Sequence, residues 1–220
     1  MVEYLQVMAY VLAFIFCFIS ILCAFAAHEL AHGYAAYSLG DPTPKYEGRL
    51  TLNPFSHLDI AGAVVLMFSL LFTGGKVVVG WGKPVRFSTE AMRSPITDGA
   101  LVALAGPLAN FFLALCAGLP VKFGVLAALP VVEDAFAIFA GVNIALFIFN
   151  LIPFPPLDGW KVLQLVMPTS LAYKMKHIET RWGMVPLYCL MAMVYIFGST
   201  LLGPIYRLFM EVLVGRLPLR

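Results

Sequence analysis

Apolar residues run almost unbroken through several stretches of the chain, and the polar positions between them gather in short loops rich in Gly and Pro. A bilayer core about 30 Å thick needs roughly 20 apolar residues in a helix. Runs of that order predict an all-α polytopic membrane protein of about five to six transmembrane segments. The first run, Leu5 to Leu39, crosses and then extends beyond the membrane. The run Ile60 to Phe72 is too short to cross comfortably, so it re-enters, tilts or lies shielded by protein, because unpaired backbone cannot face lipid. Clearer spans cover Gly99 to Leu119 and Ala135 to Asn150. The proline-rich LIPFPPLDG then interrupts the helix before a shorter one, Trp160 to Met167. A further span covers Met184 to Leu202, and the tail Ile205 to Leu217 is an interfacial helix or part of a sixth span.

The loops carry their own expectations. Between Gly40 and Asp59 the stretch KYEGRLTLNP suits a short hairpin, and between Gly74 and Asp98 the stretch KVVVGWGKPVRF has strand-like composition. A small membrane-associated β-hairpin or sheet is therefore predicted beside the helices. Basic residues favour the cytoplasmic side. They concentrate around Lys45 to Arg93, Lys76 included, and around Lys174 to Arg181, whereas the loop near Glu133 and Asp134 has one lysine, Lys122. That asymmetry starts the chain outside and brings both His28–His32 and Asn150–Asp158 toward the cytoplasmic side.

Composition agrees with this placement and removes alternatives. The 220 residues are 61% hydrophobic and 12% charged, with a mean hydropathy of +0.91, far from a soluble domain. A net charge of +2, with the basic residues scattered through loops, leaves no nucleic-acid footprint. Cys17, Cys23, Cys116 and Cys189 sit in apolar runs without CxxC spacing and read as small core or lipid-facing residues. A cleaved leader is disfavoured, because the first ten residues hold Glu3 and no Lys or Arg, and the apolar run continues past leader length.

The chemistry concentrates in HELAH. His28 and His32 are four apart, so a helix presents both on one face about 6 Å apart, suited to two ligands of a tetrahedral zinc, with Glu29 beside them as base. Ionisable residues inside an apolar segment are costly, which favours this reading over a structural pair. A catalytic zinc keeps three protein ligands, so a third His, Asp or Glu must come from elsewhere. Glu133 and Asp134 fall on the far side, Asp98 begins a span, and His177 and Glu179 lie in a basic segment. Asp158 reads equally well as that ligand and as the cap of the helix starting near Gly159. Asp59 reads as the cap of the segment beginning at Ile60, and His57 as a loop hydrogen-bonder.

HELAH in the first segment, GPLAN at Gly106 to Asn110 and NLIPFPPLDG at Asn150 to Gly159 occur in an order that resembles the site-2 protease family of intramembrane zinc metalloproteases. The similarity extends to GDPTPKYEGRLTLNPFSHLD and GWGKPV and covers most of the chain as one domain, 1–220, with no room for an inserted PDZ or appended CBS domain. What the resemblance implies is that Asp158 joins His28 and His32 around one zinc ion per chain, with Glu29 as general base. It also implies a cytoplasm-facing route to the metal and cleavage of single-span transmembrane proteins or peptides in the cell membrane, and it leaves a homodimer open. Asn150 becomes a candidate for substrate backbone or the oxyanion. Asn110 and Asn143 are weaker candidates, read first as interhelical hydrogen-bonders. A metal transporter using the same ligands is the rival from another class, and it would tolerate Glu29→Gln.

Overall fold

The computed structural model describes residues 2–74, 78–182 and 185–215. Helix α1, Val2–Ser38, is 37 residues long, about 55 Å at 1.5 Å per residue, so HELAH falls in its last third. It gives way to Gly40, whose φ of 108° is left-handed. Two single-turn helices follow, α2 (Thr43–Tyr46) and α3 (Pro54–His57), each with proline in its first turn, where the missing N–H costs nothing. The Asp59 side chain then caps α4 (Ile60–Thr73) at Gly62 N, and Gly74 ends it with φ 60°. Helix α5 (Pro95–Lys122) and helix α6 (Pro130–Asn150) also start on proline. Beyond the turns at 151–157 come α7 (Asp158–Val166), α8 (Thr169–Trp182), α9 (Val185–Leu201) and α10 (Gly203–Leu213).

Helices α1, α5 and α6 pack pairwise as a three-helix bundle, and α7 lies against α5. The bundle core is made of small side chains, Ala114, Ala117, Ala137 and Ala140, with Val121 and Ile144. Small residues let helix backbones approach closely, which matters where lipid offers no hydrophobic gain for burying larger ones. Met210 and Leu213 of α10, with Val214 just after it, complete this core, so the tail packs on the bundle. The loop before α5 is tied to α8, where Lys176 Nζ donates to Glu90 Oε1 at 2.6 Å and Thr89 Oγ1 at 2.8 Å. The Lys176 hydrogen bond draws the Glu90 carboxyl down to about 2.

Two expectations are corrected. Among the described residues there is no β-strand, only an isolated antiparallel bridge between Leu58 and Gly82. In place of the predicted hairpin at 45–54, the chain makes the helical turn α2, closed by Gly48 at φ 68° and held by Arg49 N–H on the Pro44 carbonyl at 2.8 Å, and then irregular backbone up to α3. The Val-rich stretch 78–87 forms neither helix nor strand; its backbone bonds mostly to side chains, and Pro84 has no N–H for a ladder. Lys76 and Val77 lie outside the described residues. The second correction concerns the spans. Three of the described helices are long and apolar enough to cross a membrane, at Gln6–Ser38, Pro95–Lys122 and Pro130–Asn150, where five to six were expected. Ile60–Thr73 is too short, as its sequence suggested, and α9 has 17 residues.

Candidate metal centre

The helical period brings His28 and His32 onto one face of α1, and both side chains are buried. Asp158 arrives from the other side, as the first residue of α7. Its backbone position follows from the fold-back at 151–157, where Leu157 N–H bonds the Phe154 carbonyl and Trp160 N–H the Leu157 carbonyl. Gly159 makes this close return feasible, because a Cβ there would lie 2.3 Å from the Leu151 carbonyl oxygen. The residue in the cap position of α7 is Leu157, without a side-chain cap bond. Asp158 Oδ2 instead sits 3.2 Å from His28 Nε2 and 3.3 Å from His32 Nε2. Among the described residues these three form the only group of His, Cys, Asp or Glu donors gathered for a metal, all within 4.8 Å of one another.

The outer hydrogen bonds decide what the inner atoms can do. Asn110 donates through Nδ2 to the Ala24 carbonyl at 3.1 Å and to Asn143 Oδ1 at 2.9 Å, so its Oδ1 is left as an acceptor. That oxygen lies 2.6 Å from His28 Nδ1, and the Val102 carbonyl lies 2.7 Å from His32 Nδ1. Both rings therefore donate from Nδ1, and in the neutral tautomer each Nε2 carries a bare lone pair. The two Nε2 atoms are 2.9 Å apart, with a carboxylate oxygen completing the triangle. Three electron-rich atoms at this spacing repel unless a cation lies among them. Tetrahedral zinc with ligands at about 2.0–2.2 Å sets its ligand atoms about 3.3 Å apart, close to the observed separations. The residues thus fit a zinc ion by number, type, tautomer and spacing.

Glu29, also buried, accepts a hydrogen bond through Oε2 from Val85 N–H at 2.7 Å. Gly106 supplies the space for both rings. A Cβ there would stand 2.5 Å from His32 Cε1 and Nε2 and 2.7 Å from His28 Cε1. Of the residues singled out in the sequence, the structure thus brings together His28, His32 and Asp158, with Glu29 adjoining. Asn150, half-buried in the last turn of α6, donates Nδ2 to the Leu146 carbonyl at 3.0 Å on its own helix. His57 bonds the Thr51 carbonyl through Nε2 at 2.9 Å, and Asp59 caps α4, both apart from the cluster. The side chains of His177 and Glu179 lie outside the described residues.

Asn110 does bond between helices, as read, but the sequence reading missed that its oxygen also orients a histidine. It missed Val102, Gly106 and Val85 as well. For Asn110 the signal was the residue itself, since an asparagine in an apolar helix demands a buried partner. A main-chain carbonyl or amide leaves no trace in residue type.

The model of peptidase family M50 matches residues 120–193, a stretch that includes Asn150 and Asp158. The chain is 36% identical over 169 residues to "Putative zinc metalloprotease YwhC" of Bacillus subtilis, covering 74% of each chain. It is 32% identical over 168 residues to "Putative zinc metalloprotease Rip2" of Mycobacterium tuberculosis, and spans 61% of that longer protein. No solved structure matches.

Proposed function

The chain belongs to peptidase family M50, the site-2 protease family of zinc metalloproteases, and from that premise we propose that it hydrolyses peptide bonds in or near transmembrane segments of other membrane proteins. The observation that carries the reading is the convergence of His28 Nε2, His32 Nε2 and Asp158 Oδ2 beside Glu29 on a buried site between apolar helices. In this reading the three residues hold one zinc ion per chain. Zinc bound there supplies the Lewis acidity that amide hydrolysis needs at neutral pH.

The chain's own groups do the remainder. Asn110 and the Val102 carbonyl keep both rings turned with Nε2 inward. Glu29 takes the proton of the attacking water and returns it to the leaving amine. A substrate helix hides its carbonyls in hydrogen bonds to the residue four positions on, so it must unwind locally to present one. Asn150 serves the substrate backbone or the oxyanion by exchanging its bond to Leu146 when substrate arrives. The basic loops point to a multi-pass cell-membrane protein with the site opening toward the cytoplasm, and its substrates are single-span proteins or peptides.

The test compares wild type with Glu29→Gln and Asp158→Ala for bound zinc and for cleavage of single-span peptides in liposomes. Both variants should lose cleavage, with zinc kept in Glu29→Gln and reduced in Asp158→Ala. Cleavage that survives Glu29→Gln would remove the hydrolytic reading and favour transport or scaffolding. Zinc undiminished in Asp158→Ala would remove Asp158 from the metal.

A further inference from the structure

The segment 78–87 is pinned at several points, although it belongs to no sheet. Ser69 Oγ accepts from Val79 N–H at 3.0 Å, and its one proton faces both the Leu66 carbonyl at 2.9 Å and the Val79 carbonyl at 3.1 Å. Lys83 N–H donates to the His57 carbonyl at 2.8 Å, next to the Leu58–Gly82 bridge. On the far side, Ser88 N–H donates to buried Asp41 Oδ2 at 2.6 Å. Three glycines set how closely the segment lies. A Cβ on Gly62 would fall 1.9 Å from the Trp81 carbonyl oxygen, one on Gly80 2.7 Å from Leu66 Cβ, and one on Gly82 2.0 Å from the Phe25 ring. Pro84 confines Lys83 to extended conformations and itself lacks an N–H. Between these clamps stands Val85, whose side chain is buried, with Cγ1 lying 3.6 Å from where a Cβ on Gly33 would sit.

We propose that the main-chain amide of Val85 is a positioning group for Glu29, and that segment 78–87 is a strap whose anchored register delivers it. This rests on Glu29 being the base. Among the described residues the Val85 N–H is the one hydrogen-bond donor to that carboxylate, at 2.7 Å. It occupies Oε2 and leaves Oε1 to accept a proton. A glutamate side chain has three rotatable bonds, and a fixed amide at one oxygen removes most of their freedom before substrate arrives. The same bond commits Val85 N–H, so this amide is not free to pair with a substrate backbone.

The decisive change removes only the N–H. Replacing Val85 by the corresponding α-hydroxy acid exchanges the amide for an ester and keeps the isopropyl group, and Val85→Pro is the genetic counterpart. With an internally quenched single-span Leu/Ala peptide in liposomes, the ester should lower kcat roughly ten- to a hundred-fold, the worth of a hydrogen bond to a charged group. KM and zinc content should not change, and Val85→Ala, which keeps the N–H, should recover most of the rate lost in Val85→Pro. An independent readout needs no turnover: in the zinc-free protein, Glu29→Ala should speed hydrogen exchange at Val85 N–H at least ten-fold while Lys83 and Ser88 stay protected. An unchanged kcat in the ester, a raised KM at constant kcat, or Val85 exchange indifferent to Glu29→Ala would each overturn the proposal. Cleavage surviving in Glu29→Gln would instead overturn the assignment of the base, which separates the two failures.

Discussion

Gly106→Ala adds one methyl group where α5 meets both imidazoles of the metal centre. Its Cβ would stand 2.5 Å from two atoms of the His32 ring and 2.7 Å from His28 Cε1, about 1 Å inside the ~3.5 Å at which carbon contacts become favourable. The rings cannot swing away without breaking the 2.6 Å and 2.7 Å bonds that hold their Nδ1 atoms. Ligand positions in a zinc site tolerate only about 0.2 Å, so the required movement is several times what coordination allows. Overpacking of this kind costs about 1–3 kcal/mol, and if the strain is relieved at the ligands, zinc affinity falls by up to roughly a hundred-fold at 1.4 kcal/mol per decade. Competition with a chromophoric chelator in detergent measures this directly. Gly118→Ala on the same helix is the control. Its Cβ would meet the Leu213 carbonyl oxygen at 2.8 Å, next to Val214, so it should lower thermal stability and leave zinc affinity near wild type. Wild-type zinc affinity in Gly106→Ala would refute the placement of the two imidazoles against α5.

Two further perturbations address the support of the site. Asn110→Leu removes the acceptor that fixes the His28 tautomer and leaves the Ala24 carbonyl without its Asn110 donor; zinc affinity should drop about 10–100-fold, and an unchanged value in the chelator assay would count against that orienting role. Asp41 is buried, which pushes its carboxyl up, but the Thr43 hydroxyl, the Thr43 amide and the Ser88 amide outweigh burial and hold it below its ordinary range. A depressed carboxyl contributes stability above its unfolded value of about 3.9 and loses it as pH falls through the lower folded value. Wild type should therefore lose thermal stability below about pH 4, whereas Asp41→Asn should be less stable at neutral pH with a flatter acid limb; parallel unfolding curves for the two proteins would contradict this.

The helices were legible because their cause is local. Long apolar runs bounded by Pro and Gly state where a helix can run, and α1, α5 and α6 fall where those runs predict. The spacing of His28 and His32 likewise states that they share a face, whatever packs around them. The β expectation failed at 78–87 for a reason no local pattern carries. A stretch becomes a strand only when a second backbone pairs along it, and here that pairing stops at the Leu58–Gly82 bridge, while the side chains of Ser69 and Glu29 take the amides of Val79 and Val85. The hairpin expected at 45–54 failed more locally: Pro42 and Pro44 favour the first turn of a helix, and Gly48 ends it.

The sequence by itself determined the membrane-helical class, the paired histidines with their glutamate, and the shortlist from which a third donor had to come. Whether Asp158 capped a helix or faced the imidazoles was left even by its local pattern. The fold-back through 151–157 and the packing of α7 on α5 decided that, because two segments more than a hundred residues apart in sequence must meet to within 3.3 Å. The same holds for Val102, Gly106 and Val85. Their contributions are a carbonyl, an absence of side chain and an amide, groups common to every chain, and only their location in the packed structure gives them a role.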